Sequence, residues 1–195
     1  MRIIAGEFRS RPLLAPASGA TRPITDRAKQ SLFDILAPHV EGARVYDCFA
    51  GTGSMGLECL SRGATHATFF EADRSAVTLL RKNIASLRVQ DRSSVVDRDL
   101  FKWFDSARPT ERASLIFLDP PYRFLRERPE DLRRVAATLA AHHLAADGLV
   151  IFRHDAADAL DLPPLTTADR REYGGMAIEL MSVAPAQPSQ PQSPD

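Results

Sequence analysis

The stretch Val45-Tyr46-Asp47-Cys48-Phe49-Ala50-Gly51-Thr52-Gly53-Ser54-Met55-Gly56 constrains the fold more than any other part of the chain. Val45 to Phe49 has the apolar content of a short buried strand. Gly51, Thr52 and Gly53 cannot continue it and mark a tight turn. Ser54 is expected to cap a helix, with Met55, Leu57, Cys59 and Leu60 supplying its apolar surface and Gly63 placed to stop it. A strand, a glycine loop and a helix in that order open a nucleotide-binding α/β sheet. Glycine suits the loop because a ligand approaches the backbone with no Cβ in the way.

Gly51, Gly53 and Gly56 match Gly-x-Gly-x-x-Gly, a pattern shared by many nucleotide-binding proteins. Asp47, four residues before the first glycine, narrows it. A dinucleotide pyrophosphate is anionic and seeks a helix N-terminus, where a nearby carboxylate repels it. S-adenosylmethionine has no phosphate and carries an ammonium and a sulfonium. An acid beside the loop suits it. A second acid, Glu71, ends the expected strand Ala67 to Glu71, 20 residues past Gly51. At this offset a carboxylate is placed to take both ribose hydroxyls of an adenosine group. After the short strand at Val95-Val96, Asp99 and Leu100 are the candidates for the adenine amino group and ring face, with Asp97 competing and helix capping as the alternative role.

Ser114 to Leu118 is a strongly apolar strand that ends on Asp119-Pro120-Pro121-Tyr122. As the fourth strand it would lie beside the first, facing the glycine loop. Two prolines freeze the backbone and remove two N–H donors. The Pro120 carbonyl and the Asp119 carboxylate remain as acceptors. That pair suits a planar exocyclic amine, and Tyr122 offers a ring on which a base can stack. Such an amine is a poor nucleophile. Accepting its hydrogens orients it and raises its electron density, so catalysis would be positioning and electrostatics. Asp119, Pro120 and Tyr122 are therefore the candidate catalytic residues.

The remaining chain supports one α/β domain. Its 195 residues are enough to bury a core, and no apolar run reaches membrane-spanning length. Cys48 and Cys59 fall in the expected strand and helix and read as reduced core residues, consistent with a cytoplasmic enzyme. No Cys/His spacing suggests a metal site. Net charge is zero, but residues 1–30 carry a local excess of four positive charges. Arg2, Arg9, Arg11 and Arg22 in this stretch are candidates to hold a phosphate backbone. Residues 1–22 read as a basic β-hairpin extension, 23–183 as the catalytic domain and 184–195 as a disordered Pro/Gln/Ser tail. Thr25 is expected to cap a helix that Pro38 ends, and Gly174-Gly175 to turn a hairpin between the last two strands.

These motifs resemble a class I S-adenosylmethionine-dependent methyltransferase, and more narrowly the RsmD-type 16S rRNA (guanine-N2)-methyltransferases. The resemblance rests on Arg2-Ile3-Ile4-Ala5-Gly6 with Arg9 and Arg11, Arg22-Pro23-Ile24-Thr25-Asp26-Arg27, Leu32-Phe33, Asp47 through Glu58, Ser61-Arg62-Gly63-Ala64 and Asp119 through Tyr122. Ile24 and Cys48 depart mildly from the family pattern. The resemblance implies a Rossmann-like, seven-stranded, mostly parallel sheet with an antiparallel last strand and a basic N-terminal hairpin reaching to RNA. It implies methylation of one guanine, guanine 966, of 16S rRNA in the small ribosomal subunit or a late assembly intermediate; a monomer is the separate expectation for its assembly. It places Asp47, Gly51, Gly53, Glu71 and Asp99 around the cofactor.

Two other readings compete: an adenine-N6 methyltransferase on RNA or DNA, and a nucleotide-binding oxidoreductase or non-catalytic module. The second lacks a plausible hydride-transfer His/Lys pair near a strand end. S-adenosylmethionine or S-adenosylhomocysteine should raise the melting temperature in a thermal-shift measurement, and NAD should not. Stabilisation by NAD alone would remove the methyltransferase reading.

Overall fold

The structure, a computed structural model, describes residues 1–16 and 24–183. Arg22 and the Pro/Gln/Ser tail lie outside the described residues. Seven strands form one sheet in the order β3-β2-β1-β4-β5-β7-β6. They are β1 (Arg44–Cys48), β2 (His66–Phe70), β3 (Ser93–Val96), β4 (Ala113–Leu118), β5 (Leu144–Asp155), β6 (Leu165–Tyr173) and β7 (Met176–Val183). The β1–β2, β2–β3, β1–β4 and β4–β5 pairs are parallel, and β7 runs antiparallel between β5 and β6. The chain order reverses between β1 and β4, which opens a ligand crevice at their carboxyl ends.

Helices cover both faces, as a largely parallel sheet requires. On one face α1 (Asp26–Val40), α2 (Ser54–Ser61) and α3 (Arg74–Leu87) bury Leu32, Phe33, Leu57, Leu60 and Leu80 against Val45, Leu115 and Phe117. On the other, α4 (Leu100–Ser106), α5 (Phe124–Glu127) and α6 (Pro129–Thr138) pack Phe104, Leu125, Leu132 and Val135 against Tyr46, Ile116 and Phe152. From Leu115 onward, strand alternation sends Leu115 and Phe117 of β4 to the first core and Ile116 and Leu118 to the second.

Local signals set most boundaries. Thr25 caps α1 by accepting the Ala28 N–H, and Asp73 caps α3 by accepting the Ala76 N–H. Two capping expectations fail. Pro38 does not end α1, which runs to Val40; the proline sits in the last turn. Ser54 is the first residue of α2, not its cap. Gly53 holds that position with a positive φ of 85°, and Ser54 Oγ instead accepts from Lys29 Nζ at 3.1 Å.

The basic N-terminal segment is part of the same core. Its two arms meet at a single antiparallel bridge, Arg2 with Pro12, and Ile3, Phe8 and Leu13 are buried with the sheet residues. The backbone is stitched to α2: Ile4 and Ala5 N–H donate to the Glu58 carboxylate at 2.8 and 3.0 Å, and Phe8 N–H donates to Ser61 Oγ at 2.9 Å. Gly6 makes this approach possible, since a Cβ there would lie 1.8 Å from the Ser61 carbonyl oxygen.

Glu58 is fully buried and also accepts from Lys29 Nζ at 2.9 Å and Arg62 Nε at 2.8 Å. Burial alone would raise its pKa; Lys29, the Ile4 N–H and Arg62 outweigh that and hold it low. Burial lowers the pKa of Lys29, with Glu58 opposing. Removing one partner leaves the other charge uncompensated. Glu58→Gln should therefore lower unfolding free energy by about 3–5 kcal/mol in urea denaturation, with part of the loss recovered in Glu58→Gln/Lys29→Met. A loss below about 1 kcal/mol, the scale of an exposed pair, would show that the pair is not a structural anchor.

Candidate active site at the carboxyl ends of the strands

Asp47 lies in β1 and is 2% exposed. Its Oδ2 accepts the Gly56 N–H from the first turn of α2 at 2.8 Å, so the acid anchors the helix that follows the loop. Burial pushes its carboxyl up to about 7; the Gly56 N–H opposes the shift and neighbouring Asp119 adds to it.

The glycines of the loop serve different ends. Gly51 has φ +55°, and a Cβ placed there would meet no protein atom within 4 Å, so its outer side is open to a ligand. At Gly56 a Cβ would lie 2.4 Å from the Phe69 ring, so the residue serves helix–strand packing. Phe49, expected to finish the strand, instead turns into the left-handed region at φ 62°, an unusual conformation for a bulky residue. Its ring meets Phe101 and Phe124 edge-on, each 5.9 Å away between centroids. The Arg128 guanidinium stacks 4.0 Å from the Phe101 centroid.

Glu71 follows β2. Its Oε2 accepts the Gly51 N–H and its Oε1 the Asp73 N–H, both at 2.8 Å. Each oxygen keeps a second lone pair for a further donor. Asp99 follows β3 and caps α4 by accepting the Phe101 N–H at 2.9 Å; Leu100 is buried against the aromatic cluster. Asp47, Glu71 and Asp99 thus come from three adjacent strands and share one edge. This row of acids, with open space at Gly51, fits an adenosyl group bearing positive charge and no phosphate.

Asp119 stands at the end of β4 beside the end of β1: its N–H faces the Cys48 carbonyl at 3.4 Å. Both carboxylate oxygens are held by Arg153 from β5. Nε donates to Oδ1 at 2.7 Å, and Nη2 donates to Oδ2 in a still closer contact. Pro120 is buried and Tyr122 half-buried. A cavity of about 10 Å³, roughly one water molecule in size, touches Leu32, Met55, Asp119 and Arg153. Donor loop and acceptor motif therefore share a wall, since Met55 belongs to the first turn after the glycines. The turn between β6 and β7 lies at the same edge, where Tyr173 Oη and Ser31 Oγ of α1 are 2.8 Å apart.

Arg153 was not foreseen as a site residue. The available signal was a charged residue ending an apolar strand next to the one that carries Asp119. The basic candidates are dispersed. Arg2 pairs with Asp26 at 2.8 Å near the start of α1. Arg11 donates to the Ser86 carbonyl in the last turn of α3, about 18 Å along the helix axis from its start at the site edge. Arg9 is exposed, three residues past Gly6, which is docked on the end of α2.

The profile of the family described as "Conserved hypothetical protein 95" matches residues 1–182. The chain belongs to that family. It is 35% identical to "Putative rRNA methyltransferase YlbH" of Bacillus subtilis over 187 residues, 91% of this chain and 97% of that protein. It is 42% identical over 123 residues to "Ribosomal RNA small subunit methyltransferase D" of Escherichia coli; this match spans 63% of this chain and 61% of its relative. Among solved structures, "Putative methyltransferase yhhF from Escherichia coli" superposes with a TM-score of 0.79 at 32% identity, covering 93% of this chain and 96% of the other. The expected RsmD-type family and Rossmann-like fold are thereby met. Among the described residues no helix is long and apolar enough to cross a membrane.

The raised carboxyl of Asp47 has a sign that can be checked. The folded chain holds this proton more tightly than the unfolded chain, so the contribution falls as pH rises from about 3.8 to about 7. Asp47→Asn keeps an acceptor for Gly56 and removes the titration. Its stability relative to the unsubstituted chain should rise across that window, by an amount on the order of 4 kcal/mol at most. A difference that is flat with pH in denaturation series from pH 4 to 8 would contradict the assignment.

Proposed function

We propose that the protein transfers a methyl group from S-adenosylmethionine to the exocyclic N2 amine of a guanine in small-subunit rRNA. The observation that carries this reading is the placement of Asp119-Pro120-Pro121-Tyr122 beside the end of β1, against the cavity that the glycine-loop helix also lines. The family relatives named as rRNA methyltransferases support the substrate class.

In this reading Asp47 and the open face at Gly51 receive the cofactor, with Gly53 packed against Leu80 to shape the loop, Glu71 takes its ribose hydroxyls, and Asp99 with Leu100 borders its adenine. Bound there, S-adenosylmethionine supplies an electrophilic methyl group on a sulfonium. The Pro120 carbonyl and Asp119 accept the two hydrogens of the amine, which aims its lone pair at the donor edge. Arg153 takes one lone pair from each Asp119 oxygen, and a carboxylate keeps others for the amine. Tyr122 borders the base. The rate gain comes from alignment and from a dry electrostatic setting, with no covalent enzyme intermediate.

Arg2 is assigned to the RNA backbone near the site, Arg9 and Arg11 to backbone farther from the reacting nucleotide, and Arg22, outside the described residues, to the RNA backbone as well. We place the reaction in the cytoplasm, on the small subunit or a late assembly intermediate, with the protein acting as a monomer. Labelled S-adenosylmethionine, presented with assembled small subunits, free rRNA and DNA and followed by nucleoside analysis, should yield N2-methylguanosine from the small-subunit RNA. N6-methyladenosine would overturn the choice of base. Asp119→Ala should reduce turnover by about 100-fold or more while leaving cofactor affinity nearly unchanged. Equal loss of both would remove Asp119 from the acceptor side.

A further inference from the structure

Arg153 belongs to neither sequence motif, yet it joins them. Its side chain is 17% exposed and that of Asp119 18%. Besides the paired bonds to Asp119, its Nη1 reaches Met176 Sδ at 3.6 Å, which fixes the far side of the guanidinium against the β6–β7 turn. Arg153 on β5 and Asp47 on β1 face Asp119, Lys29 on α1 faces Asp47, and Tyr122 on the Asp119 loop faces Arg153. Lys29 is held by Glu58, Ser54 and the Arg2 carbonyl. Of the two cations near this pair of carboxylates, Arg153 is the one whose donors are committed to Asp119.

Two carboxylates in one low-dielectric site do not both ionise readily without a cation between them. A protonated Asp119 would present an O–H where the acceptor amine needs a lone pair. It would also be free to rotate. A bidentate guanidinium prevents both, because it is charged at every working pH and its fork fixes the carboxylate plane.

We propose that Arg153 is a positioning residue for methyl transfer, whose paired N–H donors hold Asp119 as an oriented carboxylate with its remaining lone pairs turned to the acceptor amine. The assignment rests on the methyl-transfer reading and adds a residue outside both motifs to it. It also separates the two acids. Asp47, whose Oδ2 is held by an N–H of the loop helix, titrates near neutrality on the donor side, while Asp119 is kept as acceptor.

Two measurements on the full chain test it. In carboxyl-carbon NMR with labelled aspartate and no substrate, Asp47 of the unsubstituted protein should titrate near pH 7. In Arg153→Met and Arg153→Gln, that Asp47 step should move upward, since Arg153 is one of the charges that lower it. In the methylation assay, kcat/KM at pH 7 should fall about tenfold or more in these variants and regain part of the loss by pH 9. Arg153→Lys, which keeps the charge and loses the fork, should recover only part of the activity lost in Arg153→Gln, and S-adenosylmethionine affinity should change little. An unchanged carboxyl titration in a folded Arg153→Gln protein, or a loss of activity equal at all pH values, would overturn the proposal. If the titration changes as expected but the unsubstituted protein methylates no RNA, the methyl-transfer reading fails and the electrostatic hold of Arg153 on Asp119 remains.

Discussion

Glu58 is the buried charge on which the layout of the site depends. It has no exposed side-chain surface, and four donors satisfy it: Lys29, Arg62 and the N–H groups of Ile4 and Ala5. Those donors come from α1, from the end of α2 and from the N-terminal segment. A carboxylate removed from water is tolerated only if all these partners arrive together. Once they do, three segments distant in sequence are locked in one register. Because α2 leaves directly from the glycine loop, the same lock sets where Gly51 presents its open side. The Lys29 contact to Ser54 carries the constraint into the first turn of that helix.

The other face of the sheet makes few such demands. Tyr46, Phe70, Trp103, Phe104 and the Phe49–Phe101–Phe124 group fill it by edge and tilted ring contacts. Apolar packing of this kind stabilises without requiring a unique set of partners. The polar requirements are concentrated on the α1–α2 face and at the carboxyl edge. Asp47, Asp119 and Arg153 share the face of the sheet that α1 covers, because each stands at an even offset from a core residue of its own strand. This parity puts Asp119 and Arg153, two residues beyond Phe117 and Ile151, above the same core that α1 closes.

Much of this was legible in the residues because it depended on local chemistry. The strand, loop and helix around Gly51, the cap at Thr25, the turn at Gly174-Gly175 and the position of β4 beside β1 all follow from period, turn residues or connection rules. What escaped was set by contacts across the fold. Ser54 has the chemistry of a cap, but Lys29 claims its hydroxyl and Gly53, in the left-handed region, takes the cap position. Phe49 reads as strand, but two rings from other elements draw it into the left-handed region. The N-terminal stretch reads as a free basic hairpin from its charges. Its apolar residues Ile3, Phe8 and Leu13 instead hold it on the core, which carries Arg11 to the far end of α3. Arg153 was invisible for the same reason: a strand-ending arginine acquires meaning only when the neighbouring strand is known to end in Asp119.

The division of charge between Asp47 and Asp119 bears on why the site suits its donor. Both acids stand near the switch point between β1 and β4, and their mutual repulsion is one cause of the upward shift of Asp47. With Arg153 committed to Asp119, the carboxyl of Asp47 is the group left sensitive to an arriving charge. A cationic ligand at Gly51 would favour its ionised form, whereas an anionic one would force it to stay protonated. The glycine loop, which alone is compatible with any nucleotide, is thus biased toward a positively charged one by an acid that the fold keeps close to its titration point. That bias comes from burial against the first turn of α2, and it persists only while Glu58 and Lys29 hold that helix in place.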